Sequence, residues 1–279
     1  MTSRTQTALL LTPALTMLTL VFAAPLAWFF AQTLILDPDA NPVWSQIISV
    51  ATSRSVLQAI ITTNWIALVV TLSVLILGYP VAYYLANRSG PRFSLVIFCI
   101  VVPYFTSIIV RTYSWMVLLG TNGLINQALL RLGVVDAPVK LLYNQPAIVI
   151  GMTYVLLPYM VLTLYAAMKT IDPTLMRAAK GMGASGPMIF RRIYFPLTLH
   201  GVISGALIVF ILAIGFFITP ALMGGPGDIM IAMLIERSVE ITIDWASAAV
   251  MALLLLAATL ILYSLYYRLT DIRRLMGAS

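Results

Sequence analysis

The stretch from residue 177 to residue 196, RAAKGMGASGPMIFRRIYFP, carries the most informative residue types and spacing in this chain. An Ala-Ala pair, Ala178 and Ala179, is followed after three residues by Gly183 and, further on, by a segment that ends at Pro196. Small side chains let another surface approach closely, and the basic side chains between them favour lipid phosphates or an acidic partner. Because the stretch separates two long apolar runs, we expect a structured loop that transmits mechanical work to a soluble protein.

The sequence lacks the residues that most catalytic and nucleotide-binding sites require. There is no G-x4-G-K-[ST] segment, so the chain itself is not expected to bind ATP. A single cysteine, Cys99, and a single histidine, His200, exclude an intrachain disulfide, a cysteine metal cluster and any site that needs two histidines. We therefore predict no catalytic residue, no metal site and no cofactor in this chain.

Composition predicts an all-α, polytopic membrane protein. The chain is 61% hydrophobic and 9% charged, whereas a soluble domain carries about 25% charged residues. Apolar runs of roughly 20 residues, the length that spans a bilayer, predict six transmembrane helices near 9–34, 65–86, 94–118, 147–168, 201–223 and 245–267. No predicted span contains a carboxylate, which disfavours a proton relay and hence a proton-coupled transporter. We predict a single transmembrane domain over 1–279, with its core at about 55–267.

The basic residues indicate the orientation of the chain. With both ends inside, the cytoplasmic segments hold eleven Lys and Arg residues and the outer segments hold four. Cytoplasmic loops of membrane proteins carry such an excess of Lys and Arg, so both termini are expected in the cytoplasm. The net charge of +7 follows from this topology, and we predict no nucleic-acid partner.

The cytoplasmic loop, residues 172–196, contains helix start and stop signals. Asp172 is suited to an N-cap, and Pro173 to the first helical position. The helix is then expected to run to about Met182, with Gly183 as the left-handed residue that ends it. The residues that share one face of this helix, at i, i+3, i+4 and i+7 spacing, are Leu175, Ala178, Ala179 and Met182.

A second short helix is predicted after the glycine. Ser185 can cap it, Pro187 lies in its first turn, and it is expected to end before Pro196. The two helices would lie across the membrane surface. Periodicity alone is equally consistent with a basic amphipathic loop that only anchors the neighbouring spans.

The spacing Ala-Ala-x3-Gly-x9-Ile-x-x-Pro resembles the EAA loop of permease subunits of bacterial ABC importers. Three other stretches resemble the same family: NWIALVVTLSVLILGYPVAYYLA at 64–86, VVPYFTSIIVRTYSWMVLLGTNGLIN at 101–126 and ALMGGPGDIMIAMLI at 221–235. The resemblance covers about residues 55–267 and is greatest to permeases of spermidine/putrescine uptake systems. That branch also includes importers of opines, phosphonates and ferric iron.

The resemblance implies a type I ABC importer permease fold in the bacterial inner membrane. It implies a non-catalytic transport subunit that pairs with a second, related permease, identical or different, and with two ATP-binding-cassette ATPase subunits. ATP and Mg²⁺ would be bound by the ATPase, and substrate would be delivered by an extracytoplasmic binding protein. The implied mechanism is alternating access, with the surrounding lipid as a further partner.

The resemblance also assigns residues to the coupling of the permease with its ATPase. They are Arg177, Ala178, Ala179, Gly183, Ile193 and Pro196. Two positions depart from the family pattern, because Arg177 stands where Glu is usual and Phe195 where Leu is usual. Arg177 reverses a charge that faces the ATPase in the family, so either the cognate ATPase carries a compensating acid or the alanine and glycine geometry supplies most of the docking.

Within the predicted spans, Arg111 is the one charged residue. A continuous helix would place it about 25 Å from the cytoplasmic start of its span, where we expect snorkelling or a pair with Glu240 or Asp244. If the substrate is a polyamine, its ammonium groups can be held by aromatic faces. Candidates for lining the path, which could instead pack against lipid or other helices, are Tyr104, Phe105, Tyr113, Trp115, Tyr154, Tyr159, Phe216 and Phe217. An ion-coupled secondary transporter is the competing class, and it would need coupling-ion sites near the midplane.

Overall fold

The computed structural model describes residues 11–34, 43–88 and 90–276, and the regular elements in those ranges are all helical. The α-helices, in chain order, are α1 (Ala24–Leu34), α2 (Val43–Thr52), α3 (Arg54–Asn87), α4 (Pro91–Val101), α5 (Ile108–Leu119), α6 (Leu124–Arg131), α7 (Gln145–Lys169), α8 (Pro173–Gly181), α9 (Gly186–Ile189), α10 (Phe195–Ile214), α11 (Ile218–Met223), α12 (Ile231–Glu240) and α13 (Trp245–Met276). A π-helical segment, Leu18–Ala23, precedes α1, and a second, Phe190–Tyr194, joins α9 to α10. A 3-10 helix, Val102–Phe105, follows α4.

Six helical stretches in the described ranges are long and apolar enough to cross a membrane, which confirms the predicted fold class. They are Leu11–Thr33, Arg54–Asn87, Ile108–Arg131, Gln145–Lys169, Gly186–Ile214 and Trp245–Ser264. The number agrees with the sequence prediction, but the bounds of the second, third and fifth spans do not.

The chain divides into two compact units. One contains the described residues of Met1–Leu57 together with Leu234–Ala258, and the other contains Gln58–Met233 and the described residues of Thr259–Ser279. The prediction of one domain over 1–279 stays a prediction.

In the first unit, an aromatic and aliphatic cluster joins α1, α2 and the start of α13. Phe29 of α1 makes edge-to-face contacts with Phe30 and with Trp245, at ring-centroid distances of 5.4 and 6.2 Å. The buried residues Ala249 and Val250 lie at the centre of the cluster. The half-buried residues that pack around them are Phe29, Phe30, Ile47, Val50, Leu253 and Leu254.

In the second unit, α7 is the most buried of the described spans, with 61% of its most apolar 18-residue segment buried inside the protein. Helix α10 packs against it through a face that carries Gly201 and Gly205. A Cβ atom at Gly205 would lie 2.8 Å from Sδ of Met160, which is closer than two such atoms can approach. Small residues at this spacing let two helix backbones approach closely inside a membrane. The glycines therefore fix how near α10 lies to α7.

The predicted third span, 94–118, is wrong as one continuous helix. Helix α4 ends at Val101, the 3-10 helix follows, and α5 begins only at Ile108. Pro103 accounts for the break, because proline lacks the amide hydrogen and its ring collides with the preceding turn of an α-helix. The carbonyl of Pro103 is instead bonded by Thr106, whose N–H and hydroxyl both donate to it, at 3.1 and 2.6 Å.

The second and fifth spans also differ from the prediction. The second begins at Arg54 rather than at 65, because Thr63 and Asn64 donate to carbonyls four residues earlier and so stay helical. The predicted fifth span, 201–223, ends early at Ile214, and α11 is a separate helix. At its other end this span extends back to Gly186, inside the predicted loop.

Candidate coupling loop and transport path

The coupling loop, defined as residues 172–196, begins with the predicted capped helix. Oδ1 of Asp172 accepts a hydrogen bond from the Thr174 N–H at 2.8 Å, and Pro173 occupies the first turn of α8. The hydrogen bonds from Thr174, and then the charge of Arg177, hold the pKa of Asp172 below its usual value. A charged N-cap suits a helix N-terminus, where amide groups point outward without partners.

Gly183 ends α8 in the left-handed conformation, as predicted. Its φ is +84°, its N–H donates to the carbonyl of Lys180, and the N–H of Ala184 donates to that of Ala179, both at 3.0 Å. These two bonds form the Schellman motif that satisfies the last carbonyls of a helix. No atom lies within 4 Å of where a Cβ would be, so the backbone angle rather than lack of space requires glycine.

The predicted second loop helix is wrong at its C-terminal end. Ser185 does occupy the N-terminal position before α9, although its side chain makes no capping hydrogen bond. From α9 the chain continues through the π segment into α10, so it passes Pro196 without a break. The N–H of Phe195 donates to the carbonyl of Phe190, five residues earlier, and Pro196 then lies in the first turn of α10. Because the helix is continuous here, Pro196 leaves one carbonyl of the preceding turn without an α-helical donor, and the wider π turn lies just before it.

The four residues expected on one docking face separate into two environments. Ala179 is 2% exposed and packs into the protein, whereas Met182 is 83% exposed and Leu175 47% exposed. Ala178 and Arg177 are also exposed. Ala179 is thus buried in this chain while its neighbour Ala178 is exposed, and the assignment of both alanines to ATPase coupling stays a prediction. Of the remaining predicted coupling residues, Ile193 is half-buried and Pro196 is exposed.

A feature that sequence reasoning missed is a crossing between α3 and the segment that leaves the loop. We call it the aromatic crossing. Its members, Tyr79, Tyr83 and Asn87 on α3 and Phe190, Tyr194 and Thr198 on the other segment, recur at intervals of four residues. Side chains four apart lie on one helix face. That periodicity in each segment was the available signal, although it marks a shared face and does not pair the two segments.

The predicted path residues form two clusters beside the helix break. In the first, the Tyr159 hydroxyl of α7 donates to the Tyr104 hydroxyl at 3.2 Å, and the two rings meet edge to face at 5.6 Å. Phe105 contacts Tyr104 at 6.1 Å and is 82% exposed. Tyr104 and Phe105 lie in the 3-10 helix, so the break at Pro103 positions both rings.

The second cluster contains Arg111, Trp115 and Tyr154. The rings of Trp115 and Tyr154 meet at 5.8 Å, and all three residues line a cavity of about 400 Å³ together with residues of the helix break. The Nε atom of Arg111 is buried and has no hydrogen-bond partner among the described residues. Arg111 lies in the first turns of α5, so the distance expected along one continuous helix does not hold. Its pairing with Glu240 or Asp244 stays a prediction.

The other three path candidates lie apart from these clusters. Tyr113 is 61% exposed and, with Ile109 and Val117, lines an adjoining groove that shares Val110, Ser114 and Leu118 with the cavity of the second cluster. Phe216 and Phe217 lie in the bend between α10 and α11. Within the described part of the chain, none of these three rings contacts another aromatic ring. The structure thus brings together five of the eight predicted aromatic residues.

Comparison with known proteins identifies the same architecture. The family described as "binding-protein-dependent transport system inner membrane component" matches residues 78–274. The spermidine/putrescine transport system permease protein PotB of Salmonella typhimurium (strain SL1344) is 37% identical over 202 residues, which cover 72% of this chain and 70% of PotB. PotB of Haemophilus influenzae is 31% identical over 228 residues, covering 82% of this chain and 76% of that protein.

The fold is also similar to a solved structure. A crystal structure of a bacterial alginate ABC transporter, in complex with an alginate pentasaccharide-bound periplasmic protein, contains a chain with TM-score 0.70 and 17% identity. The alignment covers 94% of this chain and 92% of that one. Since the family match spans most of the chain and six of its helical stretches can cross a membrane, this chain belongs to the family of inner membrane components of binding-protein-dependent transport systems and is a multi-pass permease subunit.

Proposed function

We propose that this permease subunit serves an ATP-binding-cassette importer of polyamines, with putrescine and spermidine as substrates. The observation that carries the proposal is the 37% identity to PotB over 202 residues. Two features of the chain support it. Aromatic rings cluster beside a helix break, and such rings attract ammonium groups. The membrane-crossing stretches of the described chain contain no carboxylate, so no buried acid would hold a polyamine permanently.

The assembly that we propose contains two permeases, two ATPase subunits and an extracytoplasmic binding protein. The second permease is either a related protein or another copy of this chain. ATP and Mg²⁺ are bound and ATP is hydrolysed by the ATPase subunits, because this chain has no phosphate-binding loop. Both termini lie in the cytoplasm, consistent with the excess of Lys and Arg on that side.

The docking surface for the ATPase is the exposed side of α8. Leu175, Ala178 and Met182 supply exposed apolar contacts there. Arg177 lies about 200° around the α-helix from the buried Ala179 and about 100° from Ala178, so its side chain extends the exposed surface beyond Ala178. We propose that a carboxylate of the ATPase groove pairs with Arg177, while Gly183 sets where α8 ends.

Charge reversal tests this docking surface. We expect Arg177→Glu to lower uptake with the cognate ATPase about fivefold or more, the lower end of typical coupling effects. Lys180→Glu is the matched control, because Lys180 is exposed on the same helix and lies closer to the side of Ala179. Equal losses in the two variants would contradict a specific acidic partner for Arg177.

The path that we propose for the substrate runs along the two aromatic clusters. Tyr104 and Tyr159 form one pair, and Trp115 and Tyr154 form the other. Each ring can hold an ammonium group transiently, worth about 0.5–2 kcal/mol depending on desolvation. Arg111 repels a cation, so we assign it a structural role beside the path rather than a substrate contact.

Reconstitution tests the substrate. The complete complex in liposomes, with its binding protein outside and ATP inside, should accumulate labelled putrescine or spermidine and hydrolyse more ATP when the loaded binding protein is added. Binding assays on the cognate binding protein with putrescine, spermidine, opines and ferric iron define the substrate independently. Tight binding of an opine or of ferric iron, with none of either polyamine, would contradict the polyamine assignment. ATP-independent uptake driven by an ion gradient would contradict the importer class.

A further inference from the structure

The aromatic crossing joins two elements that are far apart in sequence. Tyr79, Tyr83 and Asn87 lie on the last turns of α3, and Phe190, Tyr194 and Thr198 lie on the π segment and the first turn of α10. The two rows run in opposite directions. Tyr79 meets Thr198 at one end, and Asn87 meets Tyr194 at the other. The loop and α3 are therefore connected by side chains along two helical turns.

The contacts in the crossing are both aromatic and polar. Tyr83 meets Tyr194 and Phe190 edge to face, at 5.0 and 5.7 Å. Nδ2 of Asn87 donates to the Tyr194 hydroxyl at 3.1 Å and to the Tyr83 carbonyl at 2.9 Å. The Tyr79 hydroxyl lies 2.9 Å from the Thr198 hydroxyl. Edge-to-face aromatic pairs have a preferred geometry, so the two elements can slide past each other only by breaking these contacts.

The same segment also supports the docking helix. Helix α8 packs against α9 and the π segment, and its inward residue, Ala179, is 2% exposed. Tyr194, at the end of the π segment, is 4% exposed. A displacement of α8 by the ATPase would thus press on the π segment before it reaches α3.

The helical geometry of this segment is unusual. A π turn has wider, i to i+5 hydrogen bonds, is rare, and occurs often at functional sites within α-helices. Here the Phe195 N–H bonds to Phe190, and Pro196 cannot donate a bond of its own. Pro196 thus leaves one carbonyl of this turn without a backbone donor, and the side-chain contacts of the crossing help to hold the turn in position.

We infer that the Asn87–Tyr194 hydrogen bond makes the aromatic crossing the joint that transmits motion of α8 to the membrane-spanning helix α3. Tyr194 and Asn87 are positioning residues that touch neither ATP nor substrate. The inference rests on the proposed function, since it presumes an ATPase that displaces α8. It assigns a specific connection between the loop and one span.

Removal of single hydroxyl groups tests the joint. Tyr194→Phe keeps the ring and loses the acceptor for Asn87. Tyr83→Phe is the matched control, because its ring lies in the same crossing while its hydroxyl makes no hydrogen bond among the described residues. In the reconstituted complex, we expect Tyr194→Phe to lower the number of putrescine molecules transported per ATP hydrolysed about fivefold or more. Tyr83→Phe should keep the wild-type ratio, and both variants should assemble and melt as the wild type does.

A double-mutant cycle separates the joint from general damage. Asn87→Ala should lower the ratio as Tyr194→Phe does, and the double variant should be no worse than either single variant. A wild-type ratio in Tyr194→Phe, equal losses in both tyrosine variants, or additive losses in the cycle would overturn the inference. If the wild-type complex itself shows no ATP-driven uptake, the proposed function fails instead, which is a distinguishable result.

Discussion

The coupling loop and the helix break at Pro103 are two irregular segments between apolar helices, and both contain clustered aromatic residues. They differ in how their polar groups are satisfied. In the loop, Asp172 caps the start of α8 and Gly183 closes its end with two backbone bonds. At the break, the Nε atom of Arg111 is buried and has no hydrogen-bond partner in the described part of the chain, and Arg111 lines a cavity of about 400 Å³. The ends of α8 are thus closed by hydrogen bonds within the chain, whereas the polar group at the break takes no such bond among the described residues.

This difference fits two roles, transmission of a displacement by the loop and lining of a transport path by the break. A segment that transmits displacement must keep its shape under load, so its backbone groups are satisfied within the chain. A segment beside a transport path must exchange contacts during each cycle, so internally completed contacts there would oppose the movement. Irregular backbone at membrane depth is tolerated where it is buried in protein or lines a cavity. The predictions below test this division, starting with the largest expected effect.

Gly183→Val should have the largest effect, because it disrupts the backbone hydrogen bonds that end α8. A β-branched residue at φ +84° is strongly disfavoured, so the Schellman motif should open and the end of α8 should move. We expect uptake to fall about tenfold, equivalent to about 1.4 kcal/mol of lost coupling, while the complex still assembles and hydrolyses ATP.

Gly181→Val is the matched control for this substitution. Gly181 is the last residue of α8, two positions before the left-handed Gly183. It has open space around the position of a Cβ and no positive φ. It should therefore accept valine with nearly wild-type uptake. Uptake unchanged by Gly183→Val would contradict the role of the glycine in coupling.

Arg111→Met should have the next largest effect, and only in the assembly. In the isolated subunit the Nε atom has no described partner, so its loss removes no hydrogen bond there. In the complex we expect a carboxylate to pair with it, and loss of one member of a buried charge pair costs about 2 kcal/mol or more. Differential scanning calorimetry should show a lower melting temperature for the complex and an unchanged one for the subunit.

Ser114→Ala controls for changes in the cavity lining. Ser114 lines the same cavity, and within the described ranges its hydroxyl donates only to the Val110 carbonyl. It should melt as the wild type does in both states. An equal decrease for Arg111→Met in subunit and complex would instead indicate that the arginine stabilises the fold of the subunit.

Prolines show how far the sequence predicts this fold. Pro158 lies inside α7 and Pro80 inside α3, and both helices continue through them. Pro103 ends a helix, and Pro196 lies in the first turn of one. The residue type is the same, but neighbouring helices decide whether the freed carbonyl finds a partner. The two ends of α8, marked locally by Asp172 and Gly183, were therefore predictable, whereas the breaks in the third and fifth spans were not.

The same limit applies to the functional residues. The outward side of α8 was predictable in part, since helical periodicity places Leu175, Ala178 and Met182 close together. The inward position of Ala179 was not, because it depends on where the π segment returns the chain. Contacts such as that between Asn87 and Tyr194 join positions 107 residues apart, and no local pattern predicts such a pair.

Tyr159→Phe should have a smaller effect, because it removes one hydroxyl beside the break and keeps the ring. Its hydrogen bond to Tyr104 is a neutral pair at 3.2 Å, and such a bond contributes about 1 kcal/mol. We expect the KM for putrescine-loaded binding protein, or the maximal uptake rate, to change about twofold to fivefold, within that energy. Tyr113→Phe, an exposed ring in the adjoining groove, should be neutral, and equal effects in both would contradict the assignment of the path.

The smallest effect concerns the pH dependence of the Asp172 cap. Because the folded-state pKa of Asp172 is lowered from its ordinary value of 3.8, the stability that the charged cap contributes is fully present above that value. It is lost only as the pH falls through the lowered folded-state pKa. Uptake between about pH 5 and pH 8 should therefore not vary through this group. Asp172→Asn, which can still cap the helix, should match the wild type across that range, whereas Asp172→Ala should show weaker coupling at every pH. A constant difference between the wild type and Asp172→Asn from about pH 5 to pH 8 would show that the loop depends on the charge of Asp172 and not on its hydrogen bond alone.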